Sequence, residues 1–350
     1  MTEDPELYGR PLAEARRRVG APAQLARIDE YEVMQGPGRG SRRTVLTSGG
    51  GLTVELLPDR ALDIGAASYR GVPIAWHSPT GFTAPGLTSD AGTDWLRGFG
   101  GGLLATCGLD AYGPPSTDAG VDYPMHGRIG AVPAVVTRAQ VTDAELVVEA
   151  EVRQAAVHGE HLVLHRRVSV PLGGAAIVVE DRVTNASDAS TGHMVLYHAN
   201  LGWPLLDDGA VLEIPSSSVS PRDADAERGL ARWFEITGPV PGAAEQVFKH
   251  DFRGAGTAEV SLDNAARDLR VAVRFDAETL PALHQWKMLG EGQYVLGLEP
   301  TNVDWSRGRA AAREAGVLPE LAPGESVAYR IEFHCGPSRQ GASAETGGAA

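Results

Sequence analysis

The sequence predicts an all-β protein, one large antiparallel domain with a single short N-terminal helix. Three observations carry that expectation. Apolar and polar residues alternate along several long stretches. Clusters of Gly, Pro, Asn and Asp separate those stretches, and helical spacing of apolar residues occurs convincingly only near the start. With 350 residues and 43% hydrophobic content, the chain could fill two ordinary domains or one large β domain. No repeat or linker divides it, so a single domain over residues 1–335 is expected.

Taken in order, residues 11–18 open with Pro11, carry Leu12 and Ala15 at helical spacing, and stop near Gly20. Strand patterns dominate thereafter. Leu146, Val148, Ala150 and Val152 share one face of 145–153, and Leu162, Leu164, Val168 and Val170 alternate with polar residues over 161–170. Val271, Val273 and Phe275 form a third run, and Val327, Tyr329, Ile331 and Phe333 a fourth. Turn signals at Leu172-Gly173-Gly174, Asn185 to Asp188, Asp207-Asp208-Gly209 and Pro323-Gly324 join strand to strand without intervening helices. From Gly336 to Ala350 the composition is that of a disordered tail.

Charge and composition narrow the function. The 31 Lys and Arg against 45 Asp and Glu leave a net charge of −14, which argues against a nucleic-acid partner because phosphate binding needs a concentrated basic surface. No run approaches the ~20 apolar residues of a membrane helix. The start MTEDPELYGR has no cationic segment leading into an apolar run, so a cytoplasmic protein is expected. Cys107 and Cys335, the two cysteines, lie far apart and read as reduced thiols.

Four segments place ionisable residues inside apolar strand-like patterns. They are Pro58 to Gly65 around Arg60, Tyr123 to Arg128 around His126, Leu196 to Pro204 around His198, and Tyr294 to Asn302 around Glu299. Each has an ordinary structural explanation. A lone His is commonly a hydrogen-bonded core residue, and Arg60 with Asp59 or Asp63 can be an ion pair holding a turn. Glu299 is harder to explain that way. It shares a face with Val295 and Gly297 and precedes Pro300, and a buried carboxylate needs a partner or a task. Together, one carboxylate, two imidazoles and a guanidinium can move protons between sugar oxygens with no metal or cofactor.

These segments carry a resemblance. The blocks Arg60 to Gly65, Phe99 to Leu109, Met125 to Arg128, Tyr197 to Pro204 and Val295 to Pro300 occur in the order seen in the aldose 1-epimerase (galactose mutarotase-like) superfamily. More narrowly, the chain resembles the branch of that superfamily known as a domain of unknown function, from Leu7 to about Cys335. The resemblance implies a large twisted antiparallel β-sandwich with a sugar site on its concave face. It implies Glu299 as the base that takes the anomeric proton and His198 as the acid that protonates the ring oxygen. His126 and Arg60 would bind the sugar, and Asn200, Trp203 and Trp286 lie in or beside the same blocks as further sugar-binding candidates. Departures from the family pattern are visible. Asn200 follows His198 by two residues rather than four, and Arg128 stands where a Gly is usual. Arg128 could therefore meet an acidic group on the sugar.

A small-molecule sugar is thus the expected partner, with no cofactor. The oligomeric state is left open, a homodimer included. Two alternatives stand beside the cofactor-free isomerase. One is a metal-dependent sugar isomerase using His126, His198 and Glu299 as ligands. The other is a carbohydrate-binding protein without catalysis, because fold does not fix function.

Overall fold

A computed structural model describes residues 5–89, 91–303 and 307–340. Two antiparallel sheets stack face to face. The larger runs edge to edge through Ser218–Pro221, Gln246–Asp251, Ala282–Gly290, Gln293–Thr301, Leu196–Gly202, Leu104–Cys107, Asp63–Tyr69, Leu52–Leu57, Arg42–Thr47 and Arg27–Glu32, and Val72–Pro73 adds a short flap on Asp63–Tyr69. The smaller runs through Val135–Val141, Glu145–Ala155, His161–Pro171, Ala176–Asn185, Ser326–Gly336, Leu269–Asp276, Thr257–Asn264 and Val211–Glu213. The alternation read from the sequence is the reason. Leu146, Val148, Val152, Leu162, Leu164 and Val168 turn to the shared core with no measurable exposure, while most of the polar residues between them face outward, with Gln154 and Arg166 as buried exceptions.

The short helix occupies Leu12–Arg16 and buries Leu12 and Ala15. Three further short helices, Trp95–Gly98, Ala224–Gly229 and Arg309–Glu314, sit in connections between strands. Cys107 and Cys335 are both free and buried. Of the tail expected from residue 336, residues 336–340 are described. Gly336 closes the last strand, Ser338 N–H donates to Asp268 at 3.1 Å, and Arg339 N–H donates to Asp263 at 2.9 Å. The carboxylates of Asp263, on the strand Thr257–Asn264, and of Asp268, in the turn that follows it, hold the chain; the rest of the expected tail, 341–350, lies outside the described residues. No helix among the described residues is long and apolar enough to cross a membrane.

A buried ionic network ties the sheets together behind the site. Arg166 of the smaller sheet bonds Asp63 of the larger at 2.8 Å and Asp181 of its own at 2.7 Å, and also donates to Thr106 at 2.8 Å. Tyr197 completes it with a 2.7 Å hydrogen bond from its hydroxyl to Asp181. Tyr197 and Thr106 neighbour His198 and Ala105 in the chain, so this network anchors the strands that present the opposite face.

Candidate active site

On the outer face of the larger sheet, three neighbouring strands place three ionisable side chains in one row. The hairpin of Ala282–Gly290 and Gln293–Thr301 is closed by a two-residue loop, Glu291-Gly292, with Gly292 at φ +75°. That closure fixes the register and sets His284 directly opposite Glu299. On the other side, Leu196 pairs with Thr301 and Ala199 with Leu298, which brings His198 beside Glu299, and His198 in turn pairs with Ala105. The row therefore reads His284, Glu299, His198, Ala105.

All three ionisable groups are almost fully buried, and none is satisfied. Glu299 Oε1 lies 3.3 Å from His198 Nε2, yet the approach is not aligned as a hydrogen bond. His198 Nδ1, His284 Nε2 and His126 Nδ1 also lack partners. Gly297 explains how the carboxylate is aimed. A Cβ there would meet Glu299 Oε1 at 2.5 Å and the Trp286 Cβ at 2.9 Å, so the carboxylate folds over space that only glycine leaves open. His126 comes from a loop rather than a strand. It adopts φ +58°, and the following Gly127 has φ +74° with carbonyl oxygens of Gly108 and Ala111 within 2.4 Å of where a Cβ would stand.

Burial governs the electrostatics. It pushes the Glu299 carboxyl up to about 8, with the Arg222 guanidinium opposing and Glu245 adding to the rise. Burial pushes His198 down to about 3, helped by the nearby His126. His284 falls to about 3 through burial, then Lys249 and Arg222. His126, whose ring is partly open to the cleft, falls to about 4 through burial and Arg222. Burial thus favours the uncharged form of both partners, a protonated carboxyl beside a neutral imidazole.

The row forms the floor of a cleft of about 590 Å³, within the range of small-molecule sites. Aromatic rings wall it. Trp95 stacks on Phe99 at 4.2 Å and lies 4.4 Å from the His126 ring, Phe99 is 5.0 Å from His198, and Trp286 meets His198 edge-on at 5.4 Å. At the mouth, Arg222 pairs with Glu245 at 2.7 Å and with Asp223 at 2.8 Å, and the Trp286 indole N–H donates to Glu245 at 3.1 Å. This arrangement can exchange protons with a small polar molecule whose apolar face lies on aromatic rings.

The profile for Domain of unknown function (DUF4432) matches residues 38–335. The chain belongs to the DUF4432 family. No curated protein matches it. Among solved structures, this DUF4432 protein is similar to a Klebsiella pneumoniae protein to which aldose 1-epimerase activity is ascribed. Their identity is 27% and the TM-score 0.84, over 91% of this chain and 85% of that one. It shares its fold with a galactose mutarotase-like protein from Clostridium acetobutylicum, at 14% identity and TM-score 0.65 over 90% and 99% of the two chains. Galactose 1-epimerase from Lactobacillus acidophilus has the same fold, at 12% identity and TM-score 0.60 over 90% and 100%. The twisted antiparallel sandwich is that of the mutarotase-like proteins.

Of the residues singled out in the DUF4432 sequence, His126, His198, Glu299 and Trp286 line the cleft. Four others do not. Arg60 donates to the Thr83 carbonyl and hydroxyl at 2.7 Å each and to Gly130 at 3.3 Å, holding two loops beside a separate cavity that shares Trp95 and Phe99 with the cleft. Its Asp63 partner belongs to Arg166 instead. Arg128 donates to the Asp122 carbonyl at 2.7 Å and approaches Asp110 at 3.5 Å, turned away by the left-handed His126-Gly127 step. Asn200 is fully buried and donates to the carbonyls of Gly102 and His198, clamping a glycine turn to the His198 strand. Trp203 is 62% exposed past the end of that strand, with the Arg267 guanidinium over its ring.

Among the described residues, no group of three His, Cys, Asp or Glu side chains is placed to hold a metal ion. Sequence reasoning missed His284, Arg222 and Glu245. A signal for His284 existed: two strand-like runs flank Glu291-Gly292, and counting back from that turn pairs position 284 with Glu299. Arg222 and Glu245 had none, because they sit in connecting segments whose course the local pattern does not set.

Proposed function

We propose that the protein is an aldose 1-epimerase-like isomerase that interconverts the anomers of a neutral aldose, with Glu299 as base and His198 as acid. The observation that carries this reading is the buried, unbonded Glu299 carboxyl 3.3 Å from a buried imidazole on a cleft floor. Titratable pairs pushed apart by their surroundings are what proton-transfer chemistry uses. A proton passed from Glu299 to His198 Nε2 across that contact leaves a carboxylate and an imidazolium with the total proton count unchanged. The carboxylate takes the proton of the anomeric hydroxyl as the C1–O5 bond breaks, and the imidazolium gives its proton to O5. The open aldehyde turns about C1–C2 and closes on its other face, returning both protons.

His126 supplies a further contact to the sugar, and Trp95, Phe99 and Trp286 a stacking wall. The neutral sugar follows from charge. The guanidinium that lines the cleft, Arg222, already carries Glu245 and Asp223, so a substrate carboxylate there would compete with two others. Exchange NMR over a panel of aldoses tests the reading. Glu299→Gln is expected to lower the catalysed rate ~10³-fold while sugar still binds. Unchanged turnover in that variant, or a wild-type protein that accelerates no aldose, overturns it.

A further inference from the structure

We infer that His284 reads the hydroxyl on C2 of the sugar, from the flank of Glu299 opposite His198. The inference rests on the proposed reaction and adds a specificity-determining residue to it. Its basis is the cross-strand row. Glu299 stands between two imidazoles, each one strand away, at the ~4.8 Å spacing of paired strands. In a pyranose or furanose ring, C1 has two ring neighbours, the ring oxygen and C2. With the C1 hydroxyl on Glu299 and the ring oxygen toward His198, the C2 side of the ring lies toward His284.

His284 has the chemistry for that contact. It is 3% exposed, it lines the cleft, and its Nε2 has no hydrogen-bond partner. A buried ring nitrogen left unbonded is costly, so its retention in a cleft floor calls for a ligand group that completes it. Its neighbours do not do so. Tyr112 meets the ring edge-on at a centroid distance of 6.0 Å and gives its hydroxyl proton to the Val303 carbonyl. Lys249 is next in the row on the far side, and as an ammonium it opposes protonation of His284. A neutral imidazole beside it can donate to or accept from a hydroxyl, and suits an uncharged C2 substituent.

The test compares the best aldose of a panel with its 2-deoxy and 3-deoxy analogues, by kcat/KM, in wild type, His284→Leu and His284→Gln. Wild type is expected to favour the parent sugar over the 2-deoxy analogue by about tenfold or more, the effect of one lost hydrogen bond in a buried site. His284→Leu brings that ratio close to one and leaves the 3-deoxy ratio unchanged. His284→Gln, which keeps an amide near the Nε2 position, restores part of it. A merely structural His284 would slow all three sugars alike. An unchanged 2-deoxy ratio in His284→Leu, or a shift in the 3-deoxy ratio instead, overturns the inference while leaving the isomerase reading intact. Should the leucine variant fail to fold, a wild-type protein indifferent to the 2-hydroxyl, or a glutamine variant with the full wild-type ratio and pH profile, overturns it equally. A wild-type protein inactive on every aldose fells the isomerase reading first.

Discussion

Two clusters of buried ionisable groups lie back to back across the strand Leu196–Gly202, and they are built on opposite principles. Inside the sandwich, Arg166 meets Asp63, Asp181 and Thr106 with well-made hydrogen bonds, and Tyr197 closes the set. On the outer face, one residue along the chain from Tyr197, His198 faces Glu299 without a proper bond, and His284 and His126 each keep a bare nitrogen. The first cluster is satisfied by the protein and can do nothing but hold. The second is left for something else to satisfy. Unmade hydrogen bonds in a dry site are a stability cost that structures retain where a ligand completes them. The comparison also shows why motif residues on one strand part company. Alternation sends Tyr197 to the core and His198 to the cleft, so adjacent positions serve framework and chemistry.

The largest expected effect separates the two clusters outright. Glu299→Gln should remove catalysis, as stated above, yet leave thermal unfolding unchanged or shifted slightly upward, because a neutral amide replaces an unpaired buried carboxyl. A large loss of stability would mean that Glu299 belongs to the framework. Arg166→Met is the mirror experiment. It strands two buried carboxylates and should cost about 3–5 kcal/mol in denaturant unfolding. The folded fraction should retain sugar turnover. A stable Arg166→Met protein would show that the inner network is dispensable.

Gly297→Ala sharpens the cleft half of the comparison. The added methyl displaces the Glu299 carboxylate and should reduce kcat by about ten- to a hundredfold, and because it also meets the Trp286 Cβ at 2.9 Å it should cost unfolding stability of about 1–3 kcal/mol. A variant with wild-type kcat would show that the carboxylate needs no such space. Smaller, and spread over both halves, is the dependence of stability on pH. His193, His198, His250 and His284 are pushed down to about 3 or 4 by burial. In the unfolded chain each takes a proton near 6.5, so stability is present above that pH and is lost as pH falls toward the folded values. Glu299 works the other way. Its folded value of about 8 exceeds the ordinary carboxyl value, so its contribution is lost as pH rises through 8. Four imidazoles outweigh one carboxyl on the acid side. Denaturant unfolding should show at least about 2 kcal/mol lost between pH 7 and pH 5; a flat profile would mean these rings are solvated in the fold.

Much of this architecture was legible in local pattern. Period-two alternation over 145–153 and 161–170 marks strands Glu145–Ala155 and His161–Pro171, because a residue's face in a sheet depends only on its parity. Parity also placed Glu299 with Gly297, and the ordered motif blocks pointed to His126, His198 and Trp286. The same local reading could not separate cleft from framework. Arg128, Asn200 and Trp203 share motif blocks with cleft residues and Arg60 heads a block of its own, but each finds a partner that only the fold supplies: the Asp122 carbonyl, the Gly102 carbonyl, the Arg267 side chain and the Thr83 carbonyl.

The sequence by itself determined the antiparallel β architecture, its periodicity and the strand positions of His198 and Glu299, since these depend on neighbours a few residues away, while the sandwich was implied by the resemblance of the ordered motif blocks. Only the tertiary structure decided that His284, Glu299 and His198 form one row, that Arg166 rather than Arg60 takes Asp63, and that Arg222 reaches the cleft already paired. Those outcomes depend on register across strands and on loops brought together from distant parts of the chain. No local pattern encodes them, because burial and partnership are properties of the packed molecule.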